Sequence, residues 1–315
     1  MYDITWQITI GKYELNMLDS AKITRSVEQL SDTAEIVLPG TCFNKAVEIE
    51  SKIKRGDSVL ILAGYDGTLV NEFQGFVESI STDDGAIKLN CEDAIFQFRK
   101  PVTDKEFTSP DVKDLLQYIC SQIGGYSLSC DYSFKYDKFV VLNNTGYDVL
   151  KKIQEESKAN VYLKDKVLHV HPQYKEIFGT VKYSFQDNIE KSELEYKDVR
   201  DRVVEIIVEG KGKDGKVIRE TAGSTGGDQE TIKIGGVSDP ATLKNLAQER
   251  LNSKSYTGYS GSFTGWLLPY CDAGYKASVR DNDYEFKNGD YYVLAVETTI
   301  SSSGGIRKVT VGKKI

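Results

Sequence analysis

Several groups of residues in this sequence have types and spacing that could support chemistry. His169 and His171 alternate along a short apolar run, so on a strand both imidazoles face one side and could approach a single metal ion. A third ligand is not evident and Pro172 follows, so the pair reads as structural or surface residues. The chain has two histidines, and a Ser–His or Cys–His arrangement would need one of them as its base. Gly210-Lys-Gly-Lys-Asp-Gly-Lys216 matches a phosphate-binding loop up to its lysine, but Val217 stands where a Ser or Thr would hold magnesium. Such a loop must open a helix; here strand-like runs lie on both sides, which predicts a hairpin tip. Asp281-Asn-Asp283-Tyr-Glu285 resembles a calcium loop without the motif's Gly and distal Glu at their spacing, and reads as an acidic turn. Carboxylate pairs of the glycosidase type are selected by geometry, which 47 acidic residues scattered through a sequence do not reveal. Tyr256, Tyr259, Phe263, Trp266, Tyr270 and Tyr275 could stack sugars or build a subunit contact, with strand packing as the plainer reading. The sequence therefore assigns no catalytic, cofactor-binding or metal-binding residue and predicts a protein that is not an enzyme.

The elements that would position these residues are mostly strands. Apolar and polar residues alternate over Ile4–Ile10, Ala34–Leu38, Val59–Ala63, Phe73–Ile80 and Ile87–Cys91, between turns at Pro39-Gly40, Lys54–Asp57, Tyr65–Gly67 and Asp83–Gly85. Gly75 marks a bend. This spacing predicts a closed or nearly closed antiparallel barrel over residues 1–100. Helical spacing first appears after Pro101: Ser109 as N-cap, Pro110 as first position, and a stripe of Val112, Leu115, Leu116, Ile119 and Ile123 ending at Gly124-Gly125. A second helix starts at Thr145, with Asp148 completing an imperfect capping box, and ends near Asn160. The hairpin Val161–Leu163 and Val167–His171 follows, making 101–176 an α+β insert module.

Strand patterning returns near Val181 and continues through Arg202–Glu209, Lys216–Glu220, Tyr275–Val279, Tyr291–Val296 and Ile306–Val311. One helix interrupts it near 239–253, capped by Asp239 and opened by Pro240. Residues 177–315 thus read as a second barrel. Residues 54–91 and 273–312 share an order of Gly turn, short strand, loop, Gly before a hairpin, and closing strand, which hints at two related barrels. The predicted fold class is mainly β, two tube-like antiparallel barrels flanking a small α+β module.

Composition narrows the function classes. Forty Lys plus Arg against 47 Asp plus Glu leave a net charge of −7, mixed along the 315 residues, which argues against an electrostatic grip on phosphates. Hydrophobic residues at 40% suffice for ordinary cores. No apolar run approaches the roughly 18 residues of a membrane span, and Met1–Trp6 lacks a signal-peptide pattern, so a soluble chain not exported by the usual route is expected. Cys42, Cys91, Cys120, Cys130 and Cys271 are dispersed with no CxxC, as expected where thiols stay reduced.

In order across nearly the whole chain stand Thr33-Ala-Glu-Ile-Val-Leu38, Lys54-Arg-Gly-Asp-Ser-Val-Leu-Ile61, Phe73-Gln-Gly-Phe-Val-Glu-Ser-Ile80, the helix from Pro110, and Gly146-Tyr-Asp-Val-Leu-Lys-Lys-Ile153 leading to Val167–Val170. Thr242–Leu251, Gly289–Glu297 and Val309–Gly312 complete the series. This pattern resembles the late-control D group of tail baseplate hub proteins of contractile phages, and the related N-terminal part of VgrG spike proteins. One departure is Leu268-Pro-Tyr-Cys-Asp-Ala-Gly274, where that family usually has a simple Pro-Gly or Gly turn. The resemblance implies a homotrimer in which two barrels per subunit make a ring of six, adapting a hexameric tail tube to a trimeric spike. It implies a virion tail baseplate location with assembly in the bacterial host cytoplasm. The implied partners are the tail tube protein, the central spike protein and a tape-measure protein, with DNA passing through without specific binding, no membrane insertion and no cofactor. An acidic chain suits a lumen that repels DNA. Competing readings are a tail-associated peptidoglycan hydrolase and a β-rich carbohydrate-binding module using the aromatics around Trp266.

Overall fold

The structure, a computed structural model, describes residues 3–39, 41–42, 45–46, 52–83, 86–199, 204–212, 214–285 and 288–315. Gly40, the side chain of Cys42, the turn residues Asp84 and Gly85, and Arg202, Val203 and Lys213 lie outside this set.

Alternation in the first hundred residues produces strands that bury every second side chain. Ser20–Ser26, Thr33–Pro39, Ser58–Tyr65, Thr68–Asp83 and Ala86–Glu92 pair antiparallel in the spatial order 20–26, 33–39, 86–92, 68–83, 58–65, and Ile4–Ile10 joins the outer side of 58–65. Their inward positions, among them Ile8, Ile23, Ile36, Ile61 and Leu89, form one aliphatic core. Thr68–Asp83 serves two partners in turn: its first part pairs with Ser58–Tyr65 and its second with Ala86–Glu92. Gly75 sits at the change-over, where an added Cβ would lie 2.1 Å from the Glu92 carbonyl oxygen, so only glycine allows this close backbone approach.

The last third repeats that order. Lys191–Lys197, Gly258–Gly265, Gly304–Lys314, Gly289–Ser301 and Lys276–Arg280 are neighbours in sequence of pairing, and Thr180–Ser184 adds to the outer side of 276–280. Here the core is largely aromatic and valine-rich, with Tyr183, Tyr259, Phe263, Tyr291 and Val309 buried. The two halves are not separate: Ser20–Ser26 pairs antiparallel with Ala295–Ser301, so a single 13-stranded sheet runs through both. The molecule is mainly β, as the sequence predicts, and each half packs around its own core, the first also taking in Leu267 and Ile300 from the second half. No strand pairing closes either half upon itself among the described residues.

Between the halves lies a third core. Helices α1 (Val112–Ile123) and α2 (Gly146–Ser157) pack with the short sheet Ser127–Cys130, Val167–His171 and Asn160–Lys164. The predicted stripe of α1 is buried at Val112, Leu115, Leu116 and Ile119, but the cap differs. Ser109 has φ +51° and does not cap. Asp111 does, accepting from the Lys113 amide at 3.0 Å while Asp114 accepts from the Asp111 amide at 3.0 Å. In α2 the Thr145–Asp148 capping box is complete. Residues 204–254, grouped by the sequence with the second barrel, pack into this central core instead. Val204–Lys211 pairs antiparallel with Val217–Gly223 and parallel with Asp228–Gly235. Ile206, Val208, Ile232 and Ile234 then bury against Leu243, Leu246 and Ala247 of α3 (Pro240–Lys254) and join the same cluster as α1 and α2. An amphipathic sheet and helix need an apolar face to cover, and the insert module supplies it.

Candidate functional site

The feature that the fold builds with most care is the junction between the two halves. Seven residue pairs, from Ala295↔Ser26 to Ser301↔Ser20, join the sheets by backbone pairing. Beneath this seam an ion cluster draws on both halves. Arg307 is 1% exposed and Glu72 0%, and their side chains meet bidentately, Nη2–Oε1 2.7 Å and Nη1–Oε2 3.2 Å. The remaining Arg307 donors reach the Leu267 carbonyl at 2.9 and 3.1 Å, Thr298 Oγ1 at 2.8 Å and the Cys271 carbonyl at 3.4 Å. Arg25 donates to the Glu72 carbonyl and to the Tyr270 hydroxyl, and pairs with Asp272 at 3.2 Å. Both guanidiniums lie over the Tyr270 ring, at 5.1 and 5.7 Å from its centroid. Burial alone would lower the Arg25 pKa, but Asp272, Tyr270, Asp32 and Glu72 outweigh it and hold it above the ordinary guanidinium value. A guanidinium with all its donors satisfied, opposite a buried carboxylate, fixes one register and one mutual orientation of the strands that carry them.

The segment Leu268–Gly274 acquires a role here. Leu267, Tyr270, Cys271 and Asp272, in or next to the segment 268–274, are among the groups that contact Arg307 and Arg25. Sequence reasoning missed the cluster, although a signal exists. Arg25 continues the inward alternation of Ala21 and Ile23, and Arg307 that of Val309 and Val311; a charge at an inward strand position requires a buried partner.

Beside the junction, Asp32 and Asp93 border a cleft of ≈ 270 Å³ with Tyr162, Phe178 and Tyr275. Asp32 accepts from the Ser26 amide at 3.3 Å, and Asp93 from the Ile95 and Asp32 amides at 2.9 and 3.1 Å. Burial pushes Asp93 up to about 7, and burial together with the neighbouring Asp93 raises Asp32. Both carboxylates brace turns, which accounts for their positions without catalysis.

The histidines come together as the alternation predicts. His171 Nδ1 lies 2.5 Å from Asp131, and its Nε2 lies 3.4 Å from His169 Nδ1 and 3.3 Å from Glu176. Tyr162 stacks on His169 at 4.7 Å and donates to Glu176 at 2.6 Å. Burial and the adjacent His171 lower the pKa of His169. Among the described residues no group of three or more His, Cys, Asp or Glu has metal-holding geometry. Gly210–Lys216 lies at the turn between Val204–Lys211 and Val217–Gly223, a hairpin and not a helix start. In the acidic turn, Asp281 accepts from the amides of Asp283 and Tyr284 at 3.0 and 3.3 Å. Of the aromatic group, Tyr259 and Phe263 are core residues, Tyr270 belongs to the ion cluster, and Trp266 is 52% exposed beside Tyr65 and Ile306. Burial raises the thiols of Cys91, Cys120 and Cys271 to about 12, 11 and 12, so they are not nucleophiles at neutral pH. No helix among the described residues is long and apolar enough to cross a membrane.

No family model and no curated protein matches this sequence. Solved structures do. A tail protein from Neisseria meningitidis superposes with TM-score 0.66 at 16% identity, covering 99% of this chain and 97% of that one. The 43 kDa tail protein of prophage MuSo2 from Shewanella oneidensis gives 0.64 at 14% identity, over 97% of both chains. An Escherichia coli component of the type VI secretion system, itself similar to the T4 bacteriophage tail proteins gp27 and gp5, gives 0.62 at 8% identity, covering 98% of this chain and 79% of that one. Over nearly its whole length, this chain has the fold of these phage tail and type VI secretion proteins.

Proposed function

We propose that this protein is the structural hub of a phage or phage-like contractile tail, a homotrimer that adapts a hexameric tail tube to a trimeric spike. The observation that carries this reading is the repeated five-strand order in one chain, with the two copies joined edge to edge by Ser20–Ser26 and Ala295–Ser301. A subunit holding two alike units presents two nearly equivalent sites, so three subunits offer six to a sixfold tube while keeping threefold symmetry for the spike. The ion cluster of Arg307, Glu72 and Arg25 supports the reading because it holds the two units in one relative orientation, which a ring requires. On this reading the protein sits in the tail baseplate and is assembled in the host cytoplasm. Its partners are the tube protein, the central spike and a tape-measure protein, and DNA passes its lumen without specific binding. It performs no catalysis. Light scattering and negative-stain electron microscopy of the purified protein test this: a mass of three subunits and a three-lobed ring with a central hole are expected. A monomer that persists with tube and spike proteins added would overturn it.

A further inference from the structure

The two halves can be aligned residue by residue, and the alignment shows two strand edges that no strand among the described residues covers. Val77–Cys91–Ala34–Ile23 are successive cross-strand partners in the first half, as Val293–Val311–Gly261–Leu194 are in the second. Loop contacts agree: Val77 exchanges backbone hydrogen bonds with Gly56 and Asp57, and Val293 with Gly274 and Tyr275. A bulge follows in each strand, between Val77 and Ser79 and between Val293 and Ala295. Beyond the bulge, Ala295–Ser301 is covered on its free side by Ser20–Ser26. The matching stretch of the first half, Ser79–Asp83, has no strand on that side among the described residues, because Ser58–Tyr65 stops at Phe76. The counterpart of Ser20–Ser26 in the second half is Lys191–Lys197, whose outer edge also has no strand among the described residues.

We infer that these two edges pair with each other between copies: Ser79–Asp83 of one copy adds antiparallel to Lys191–Lys197 of a second copy, repeating the internal seam. Transferring Val296↔Arg25, Glu297↔Thr24 and Thr298↔Ile23 across the alignment sets the register. Ile80 then faces Tyr196 of a second copy, Ser81 faces Glu195, and Thr82 faces Leu194. The inward row of this seam is largely apolar: Ile80 and Leu194 are partly buried against their own cores, Tyr196 is 37% exposed in the single chain, and the exposed Thr82 is its one polar member. The outward row is polar, with Ser81 and Glu195 exposed. Because the two edges are different surfaces, the contact is head-to-tail, which gives a closed ring when the rotation between copies is threefold and excludes a twofold dimer through this seam. Pairing also removes the open edges that would otherwise template aggregation. With three copies, the ring of the preceding reading would contain six seams, three within chains and three between them. This inference rests on that reading and adds the edges and register.

Directly opposed strand residues have Cα atoms about 4.5–5.5 Å apart, inside the disulfide range of about 4.4–6.8 Å. The test is the double variant Ser81→Cys/Glu195→Cys under mild oxidation. A covalent ladder on a non-reducing gel, ending at a closed trimer, is expected. The two single variants should stay uncrosslinked alone and give dimers and nothing larger when mixed. Thr24→Cys/Glu297→Cys, across the internal seam, should close within one chain and calibrates the geometry. If light scattering gives a trimer and the double variant fails to crosslink while the internal control succeeds, the seam is wrong and the ring reading survives. Self-crosslinking of Ser81→Cys overturns the head-to-tail polarity. A chain that stays monomeric and uncrosslinked at every concentration overturns both.

Discussion

The first and second halves of the sheet have the same strand order and quite different contents. The first is filled by Ile8, Ile23, Ile36, Ile61 and Leu89, the second by Tyr183, Tyr259, Phe263 and Tyr291 with valines. In the first half, residues 27–32 connect Ser20–Ser26 to Thr33–Pro39; at the same place in the second, residues 198–257 carry a three-stranded sheet and α3. The outer strand differs in direction too: Ile4–Ile10 runs antiparallel to its neighbour, Thr180–Ser184 parallel. Backbone pairing and two-residue alternation therefore define this architecture, while the filling and the loops vary around it. Side chains must match where the halves meet, and there the match is both apolar, with Leu267 and Ile300 buried in the first core, and ionic, at Arg307 and Glu72.

The sharpest way to break the comparison is at that meeting point. Glu72→Ala leaves the Arg307 guanidinium buried without its counter-ion, and stability should fall by about 3–5 kcal/mol in urea denaturation. Glu72→Leu with Arg307→Met should recover much of that loss, because two desolvated charges disappear together. Next come the contents of each half. Phe263→Ala in the second half should cost about 3–5 kcal/mol, and Ile36→Val in the first about 0.5–1.5 kcal/mol, measured the same way. A double variant whose loss departs from the sum of the two single losses would mean that the cores are not packed independently.

The pH response should have opposite signs in the two halves. Burial raises the folded pKa of Asp93 to about 7, above its unfolded value, so the native state holds the extra proton and stability falls as pH rises from about 4 to 7. Asp93→Asn should flatten that fall in a pH series of thermal melts. Asp290 in the second half is lowered, first by the Ser278 hydroxyl and then, against the effect of burial, by Lys276 and Arg280. Its contribution is present above the unfolded carboxylate value and is lost as pH drops through the lower folded value. Asp290→Asn should therefore destabilise at neutral pH and have little effect near pH 2. The smallest change is expected on the exposed side of the seam. Lys22 and Glu297 meet at 2.9 Å in solvent, and Lys22→Ala should cost roughly 0.2–1 kcal/mol, lost in high salt.

Much of this was written in local pattern. Alternation located the strands, caps such as Asp239-Pro240 and Thr145–Asp148 located two helices, and the hairpin at Gly210–Lys216 was legible from the runs on either side. The α1 cap was misassigned because Ser109-Pro110 and Asp111 each satisfy the one-dimensional rule, and the choice depends on a positive φ at Ser109 that sequence does not display. The repeat was visible as an order of turns, but its alignment required the cross-strand partners that begin with Val77 and Val293.

Periodicity, charge and turn chemistry act between residues close in sequence, and for that reason the sequence alone determined the mainly β class, the helical insert and the expectation that no catalytic constellation is present. Which core took in residues 204–254 and how the two halves joined are decided by partners far apart in sequence, such as Arg25 with Glu72, 47 positions away, and with Tyr270, 245 away, and Ser20–Ser26 with Ala295–Ser301. Such contacts cost loop-closure entropy and leave no local trace. They become favourable only when hydrophobic burial has brought the strands together, and tertiary structure alone could place the Arg307–Glu72 pair at the seam between them.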